Sequence, residues 1–114
     1  MTTIYHNPRC SKSRASLEML EAKGINPTII KYLDTPPDKA ELTEILGKLG
    51  LQAEQIVRKG EALYTELGLN DKTLSNEEWI EVLAQHPRLI ERPIVVSGKK
   101  AAIGRPIERV IDIL

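Results

Sequence analysis

A polar pair, Thr2-Thr3, and an apolar pair, Ile4-Tyr5, open the chain, and Thr2 to His6 ("TTIYH") reads as a short strand. Asn7-Pro8 then signals a turn, because proline disfavours a helical residue before it. From Ser11 the spacing becomes helical. Ala15, Met19 and Ala22 share one side, Leu17 and Leu20 lie beside it, and Gly24 stops the run. Pro27 to Leu33 ("PTIIKYL") is rich in strand formers, so the opening predicts a strand–helix–strand unit whose parallel pairing crosses over right-handed. A second helix is expected with Thr35 as cap and Pro36-Pro37 opening it. Leu42, Ile45, Leu46 and Leu49 form one face and Gly50 ends it. Further helical segments are expected at Glu54 to Lys59, Ala62 to Leu67 and Glu77 to Gln85, the last behind a capping box at Ser75 and Glu78. His86-Pro87 closes that segment. A β-hairpin follows, Ile94 to Ser97 and Lys100 to Ile103, turning at Gly98-Lys99, and "IERVIDIL" ends the chain as a short helix. The predicted order is β-α-β, a helical block, then β-β-α: an α/β fold with a mixed sheet.

At 114 residues the chain is read as one domain, residues 1–114, with a helical insertion at about 35–90. Lys plus Arg and Asp plus Glu both number 16, so the formal net charge is zero. That balance argues against bulk binding of nucleic acid or a membrane surface, while a local basic cluster can still take a small anion. No apolar run is long enough to span a bilayer and the N-terminus carries no signal-peptide pattern, so a cytoplasmic location is the default expectation. No linker, repeat or low-complexity tract interrupts the chain.

The single cysteine, Cys10, changes this ordinary picture. It stands in "YHNPRCSKSR" among His6, Arg9, Lys12 and Arg14, just before the first helix. A thiolate is the reactive form of cysteine, and a helix N-terminus beside cations lowers a thiol pKa from ~8.5 toward ~3.5–7.5. The unpaired N–H groups there also favour an oxyanion, and Ser11 and Ser13 add hydroxyl donors. The alternative is an inert, buried cysteine. His6 is either a satisfied strand-end histidine or a charge or hydrogen bond near the thiolate. Cys10, His6 and His86 do not have zinc-ligand spacing, and no metal site is expected. Cys10 and Arg14 enclose too few residues for a tyrosine-phosphatase loop. Position 13 is serine, so no Cys-x-x-Cys pair exists. One cysteine allows no internal disulfide, so any redox chemistry takes its second sulfur from another molecule.

Three distant arginines complete the candidate set: Arg58 in "IVRKGE", Arg92 in "ERPIVV" and Arg105 in "GRPIE". Arg92 and Arg105 precede prolines at the two ends of the predicted hairpin. Guanidinium groups bind tetrahedral oxyanions bidentately and stay charged. Spacing alone does not show that the three converge.

"YHNPRCSKSR", "IVRKGE", "ERPIVV" and the closing "GRPIERVIDIL", in this order and spacing, resemble the glutaredoxin-coupled arsenate reductase family across essentially the whole chain. The resemblance implies a thioredoxin-like fold with a helical insertion, and a cis proline at Pro93 facing the site. It implies that Cys10 is the nucleophile, that His6 supports the thiolate, and that Arg58, Arg92, Arg105 and Ser13 serve the oxyanion. The implied reaction is attack of Cys10 on arsenate, then reduction by glutathione as co-substrate, with glutaredoxin resolving the Cys10–glutathione disulfide. No bound cofactor, no nucleic acid, no membrane and a monomeric state are expected. Two rivals stand beside this reading. One is a glutathione-dependent thiol reductase with weak or no arsenate activity. The other is a redox-linked regulator binding RNA polymerase, whose usual Cys-x-x-Cys switch is missing here.

Overall fold

The computed structural model describes residues 1–114, which form two compact units: residues 1–35 with 92–114, and residues 36–91. In chain order the elements are β1 (Thr2–His6), α1 (Ser11–Ala22), β2 (Thr28–Lys31), α2 (Lys39–Leu49), α3 (Ala62–Glu66), α4 (Asn76–Gln85), β3 (Ile94–Ser97), β4 (Lys100–Ile103) and α5 (Glu108–Ile111). No helix is long and apolar enough to cross a membrane.

The first unit is a four-stranded mixed sheet in the order β2-β1-β3-β4 with α1 and α5 packed on it. β1 pairs parallel to β2 and antiparallel to β3, and β3 pairs antiparallel to β4. The register decides where side chains meet. Tyr5 pairs with Ile30 and Ile94, and Ile94 pairs with Ile103, so these four form one row across the sheet. The residues just beyond that row are His6 and Lys31 on one side, and Arg92-Pro93 and Gly104-Arg105 on the other. They therefore gather at one end of the sheet.

Side chains alternate between the faces of a strand, so Ile4 and His6 share the buried face of β1. The core beneath that face is Ile4, Leu20, Val95, Ala102 and Val110, with Leu17, Met19, Ile25 and Ile113 partly buried against it. Each fully buried Leu, Ile or Val contributes about 1.5–3 kcal/mol over its exposed state. The buried face of α1 differs from the expected one. Ser13, Ser16 and Leu20 point inward, whereas Ala15 and Ala22 are exposed. Apolar spacing misplaces this face because two of its three inward positions are serines.

The second unit is helical. α2 packs on α4, and Leu42, Ile45 and Leu46 of α2 and Trp79, Ile80 and Leu83 of α4 are buried. Tyr64 of α3 stacks on Trp79 with ring centroids 6.3 Å apart. α2 starts later than expected: Asp38, not Thr35, is its cap, and its carboxylate accepts from the Glu41 N–H at 2.8 Å. Gly50 ends α2 with φ 68°. The helix expected over Glu54 to Lys59 is only a 3-10 turn, Ala53–Ile56, after which Val57 is extended and bridges to Ile90. The capping box of α4 is present, with Ser75 and Glu78 exchanging backbone hydrogen bonds.

Candidate active site

Between β1 and α1 the chain must reverse, and Asn7 builds the turn. Its carboxamide oxygen accepts from the Arg9 N–H at 3.0 Å, and its carbonyl accepts from the Cys10 N–H at 3.0 Å. Arg14 ties the outside of the loop by donating to the Pro8 carbonyl at 2.8 Å. Cys10 thereby becomes the N-cap of α1, with φ −96° and ψ 121°. The N–H groups of the first helical turn have no partner within the helix, and those of Lys12 and Ser13 act on the Cys10 thiol.

Burial pushes the Cys10 thiol up, and this is the largest single influence. It is outweighed by the Ser13 N–H, the Arg105 guanidinium, the Lys12 N–H and the charge of Arg92, in that order, so the net direction is down. Arg105 Nη2 lies 3.3 Å from Cys10 Sγ, while Arg105 Nε donates to the Arg92 carbonyl at 2.8 Å. The second bond fixes the guanidinium plane that the first bond uses.

His6 faces α1 from the end of β1 and is buried with Ser13. Its Nδ1 is 2.7 Å from Ser13 Oγ, and the same Oγ accepts from the Asn7 N–H at 3.0 Å. Burial, then the charges of Lys31 and Arg14, hold the imidazole below the usual histidine range. The neutral ring can pair Nδ1 with the Ser13 hydroxyl in either tautomer, because that hydroxyl both donates and accepts. The hydrogen bond that His6 makes is to Ser13, and His6 is not among the influences that set the Cys10 thiol. His6 anchors Ser13, whose N–H is one of the groups that draw the thiol down.

Gly104 and Ser16 were not singled out by sequence reasoning. Gly104 donates to the Pro93 carbonyl at 2.9 Å. A Cβ on Gly104 would fall 2.5 Å from Ser16 Oγ and 2.7 Å from Pro93 Cγ, closer than packed atoms approach. Only glycine lets the end of β4 close onto α1 here, and Arg105 is the next residue. The glycine before "RP" in the last motif was the available signal. Both Arg92–Pro93 and Arg105–Pro106 are cis peptides.

The sheet unit thus brings together Cys10, His6, Ser13, Arg92 and Arg105. Arg58 belongs to the helical unit. There it donates to the Arg88 carbonyl at 3.2 Å and pairs with Glu61 at 3.1 Å. No three His, Cys, Asp or Glu side chains cluster as metal ligands.

Residues 5–113 match the ArsC family. The chain is a member of that family. It is 52% identical over 112 residues to an arsenate reductase of Neisseria meningitidis serogroup A, covering 97% of this chain and 96% of that one. It is 45% identical to an arsenate reductase of Escherichia coli, covering 98% of this chain and 79% of the relative. The solved structure of an arsenate reductase from Vibrio cholerae superposes with a TM-score of 0.94 at 49% identity, covering 99% and 97% of the two chains. The ArsC-family chain has the thioredoxin-like fold.

Proposed function

We propose that this ArsC-family protein reduces arsenate to arsenite with Cys10 as its only nucleophile. The observation that carries the reading is the sulfur itself, at the N-cap of α1 and held 3.3 Å from the Arg105 guanidinium. That arrangement stabilises a thiolate and offers donors to an oxyanion at the same point. The names of its relatives supply the arsenic.

The Cys10 thiolate attacks arsenic(V), and one arsenate oxygen leaves as water after taking up two protons. Arg92 and Arg105 neutralise the remaining oxygens, and Arg58 is proposed as a third guanidinium on the strength of its motif. Glutathione thiolate then attacks the Cys10 sulfur of the adduct. The sulfur–arsenic bond breaks, its electron pair stays on arsenic, and arsenite departs as arsenic(III). The Cys10–glutathione disulfide is resolved by glutaredoxin. With one cysteine in the chain, the second sulfur is necessarily external.

The test is NADPH consumption in a mixture of arsenate, glutathione, glutathione reductase and glutaredoxin. Wild type turns over only when arsenate is present, and Cys10→Ser does not. Absence of arsenate-dependent turnover in wild type, with Cys10 still rapidly alkylated, overturns the reading in favour of a thiol reductase.

A further inference from the structure

The formal charge of zero divides unevenly over the chain. The sheet unit carries ten Lys and Arg against five Asp and Glu, a formal +5. The helical unit carries six against eleven, a formal −5. Within the helical unit, five of the six cations are paired to that unit's own carboxylates: Lys39, Lys48, Arg58, Lys59 and Arg88. Arg9 and Lys12 of the sheet unit are different. Both are exposed, and neither side chain is hydrogen-bonded or ion-paired within the chain.

In the chain these two residues flank Cys10, Arg9 directly before it and Lys12 in the first turn of α1 after it. Their side-chain charges are not among the influences that set the thiol, which are burial, two backbone N–H groups, Arg105 and Arg92. Their exposure leaves them to a molecule arriving from solvent. The oxyanion has its donors at the sulfur; the second reactant has none yet. That reactant is a thiol whose sulfur must come within bonding distance of Cys10 Sγ. Only 8% of Cys10 is accessible, which suits a slender thiol better than one set on a broad protein surface. Glutathione is a slender thiol with its sulfur on the middle residue and a carboxylate toward each end.

We propose that Arg9 and Lys12 are the docking site for the two carboxylates of glutathione as its sulfur approaches Cys10. The proposal rests on the reading that an external thiol resolves Cys10. It adds which residues select that thiol.

The experiment reads thiol selection without arsenate. Cys10 is first converted to its mixed disulfide with thionitrobenzoate. Attack by a second thiolate on the Cys10 sulfur forms a new disulfide, breaks the old one and releases coloured thionitrobenzoate anion. Release rates are measured with glutathione and with uncharged β-mercaptoethanol, and their ratio cancels any change in the reactivity of Cys10. In the double variant Arg9→Glu, Lys12→Glu the ratio falls by about tenfold, the size expected for exposed charge contacts turned repulsive. The charge-conserving double variant Arg9→Lys, Lys12→Arg keeps the wild-type ratio. Glutathione esterified at its glycine loses part of its advantage in wild type, and added salt erodes the rest. An unchanged ratio in the reversed variant, or in the single variant Arg9→Ala and its Lys12→Ala counterpart, overturns the docking site. Failure of arsenate reduction overturns the earlier reading instead, since this assay contains no arsenate.

Discussion

The two units of this chain spend their polar groups in opposite ways. In the helical unit five of the six cations are paired with carboxylates, and Leu42, Ile56, Leu83 and Leu89 are fully buried. The sheet unit holds all three buried polar or charged side chains of the protein: His6, Ser13 and Ser16. It also holds the excess of cations. Ser16 Oγ is buried with no hydrogen-bond partner, a cost that local rules of folding would remove. Sequences break such rules where a site needs them broken. Under the proposed function, the sheet unit is the place where stability is traded for a tuned sulfur.

The largest expected difference between the units lies in their arginines. Arg105→Ala removes the guanidinium beside Cys10 and lowers kcat/KM for arsenate by about 10²–10³, the range for losing one anion-stabilising donor. The midpoint of the alkylation rate against pH rises at the same time, because the thiolate loses one of its stabilising partners. Arg105→Lys keeps the charge and loses the two-pronged donor, so it falls between. Arg88→Ala in the helical unit leaves the alkylation profile where it was. Equal effects from Arg88 and Arg105 would erase the distinction.

A smaller effect is expected at Gly104. Its backbone does not need glycine, since φ is not positive there; only space does. Gly104→Ala forces the end of β4 away from Ser16 and Pro93 and carries Arg105 off the sulfur. Activity falls by about tenfold, within the range for a small displacement of a positioned group. The alkylation midpoint moves up as it does in Arg105→Ala. A loss of stability with an unmoved midpoint would make Gly104 a packing residue only.

The chain order of elements was readable because it rests on strong local signals. The strand Thr2–His6, the hairpin turning at Gly98 and the Ser75–Glu78 cap each follow from period, turn chemistry or capping. Cys10 was readable as a helix-start thiol for the same reason. The buried face of α1 was not, because Ser13 and Ser16 carry no apolar signal and are inside for what they touch. Nor was the 3-10 turn at Ala53–Ile56, where apolar spacing is too short to tell one turn from a helix. The meeting of Arg92 and Arg105 follows from sheet register, a non-local property. Once Tyr5, Ile94 and Ile103 are in one row, the arginines beyond them share an end.

His6 separates the units by pH. Its imidazole resists protonation in the folded protein because of burial first, then Lys31 and Arg14. The unfolded chain binds that proton more readily, at the ordinary value near ~6.5. Stability contributed by neutral His6 is therefore full above that value and declines as pH falls below it. Chemical denaturation between pH 7 and pH 5 (about the range where an ordinary histidine titrates) should show the decline in wild type and a flatter curve in His6→Gln. An equal decline in both would assign it to the carboxylates, eleven of which are in the helical unit.

The smallest effect tests the one arginine whose place in the chemistry rests on its motif. Glu61 accepts from Arg58 and Arg88, each at 3.1 Å, and its side chain is 20% exposed. Glu61→Gln keeps the shape and removes the charge, so stability drops by about 1 kcal/mol, at the upper end for surface ion pairs. The alkylation profile of Cys10 stays put, since neither Glu61 nor its two arginines are among the influences that set the thiol. If Arg58 serves the oxyanion, Glu61 competes with arsenate for it. Neutralising Glu61 then lowers the KM for arsenate by about two- to threefold, a fraction of one weak ion pair. An unchanged KM with the expected loss of stability leaves Arg58 with a structural part only. The oxyanion would then rest on Arg92, Arg105 and the start of α1, and the chemistry would belong wholly to the sheet unit.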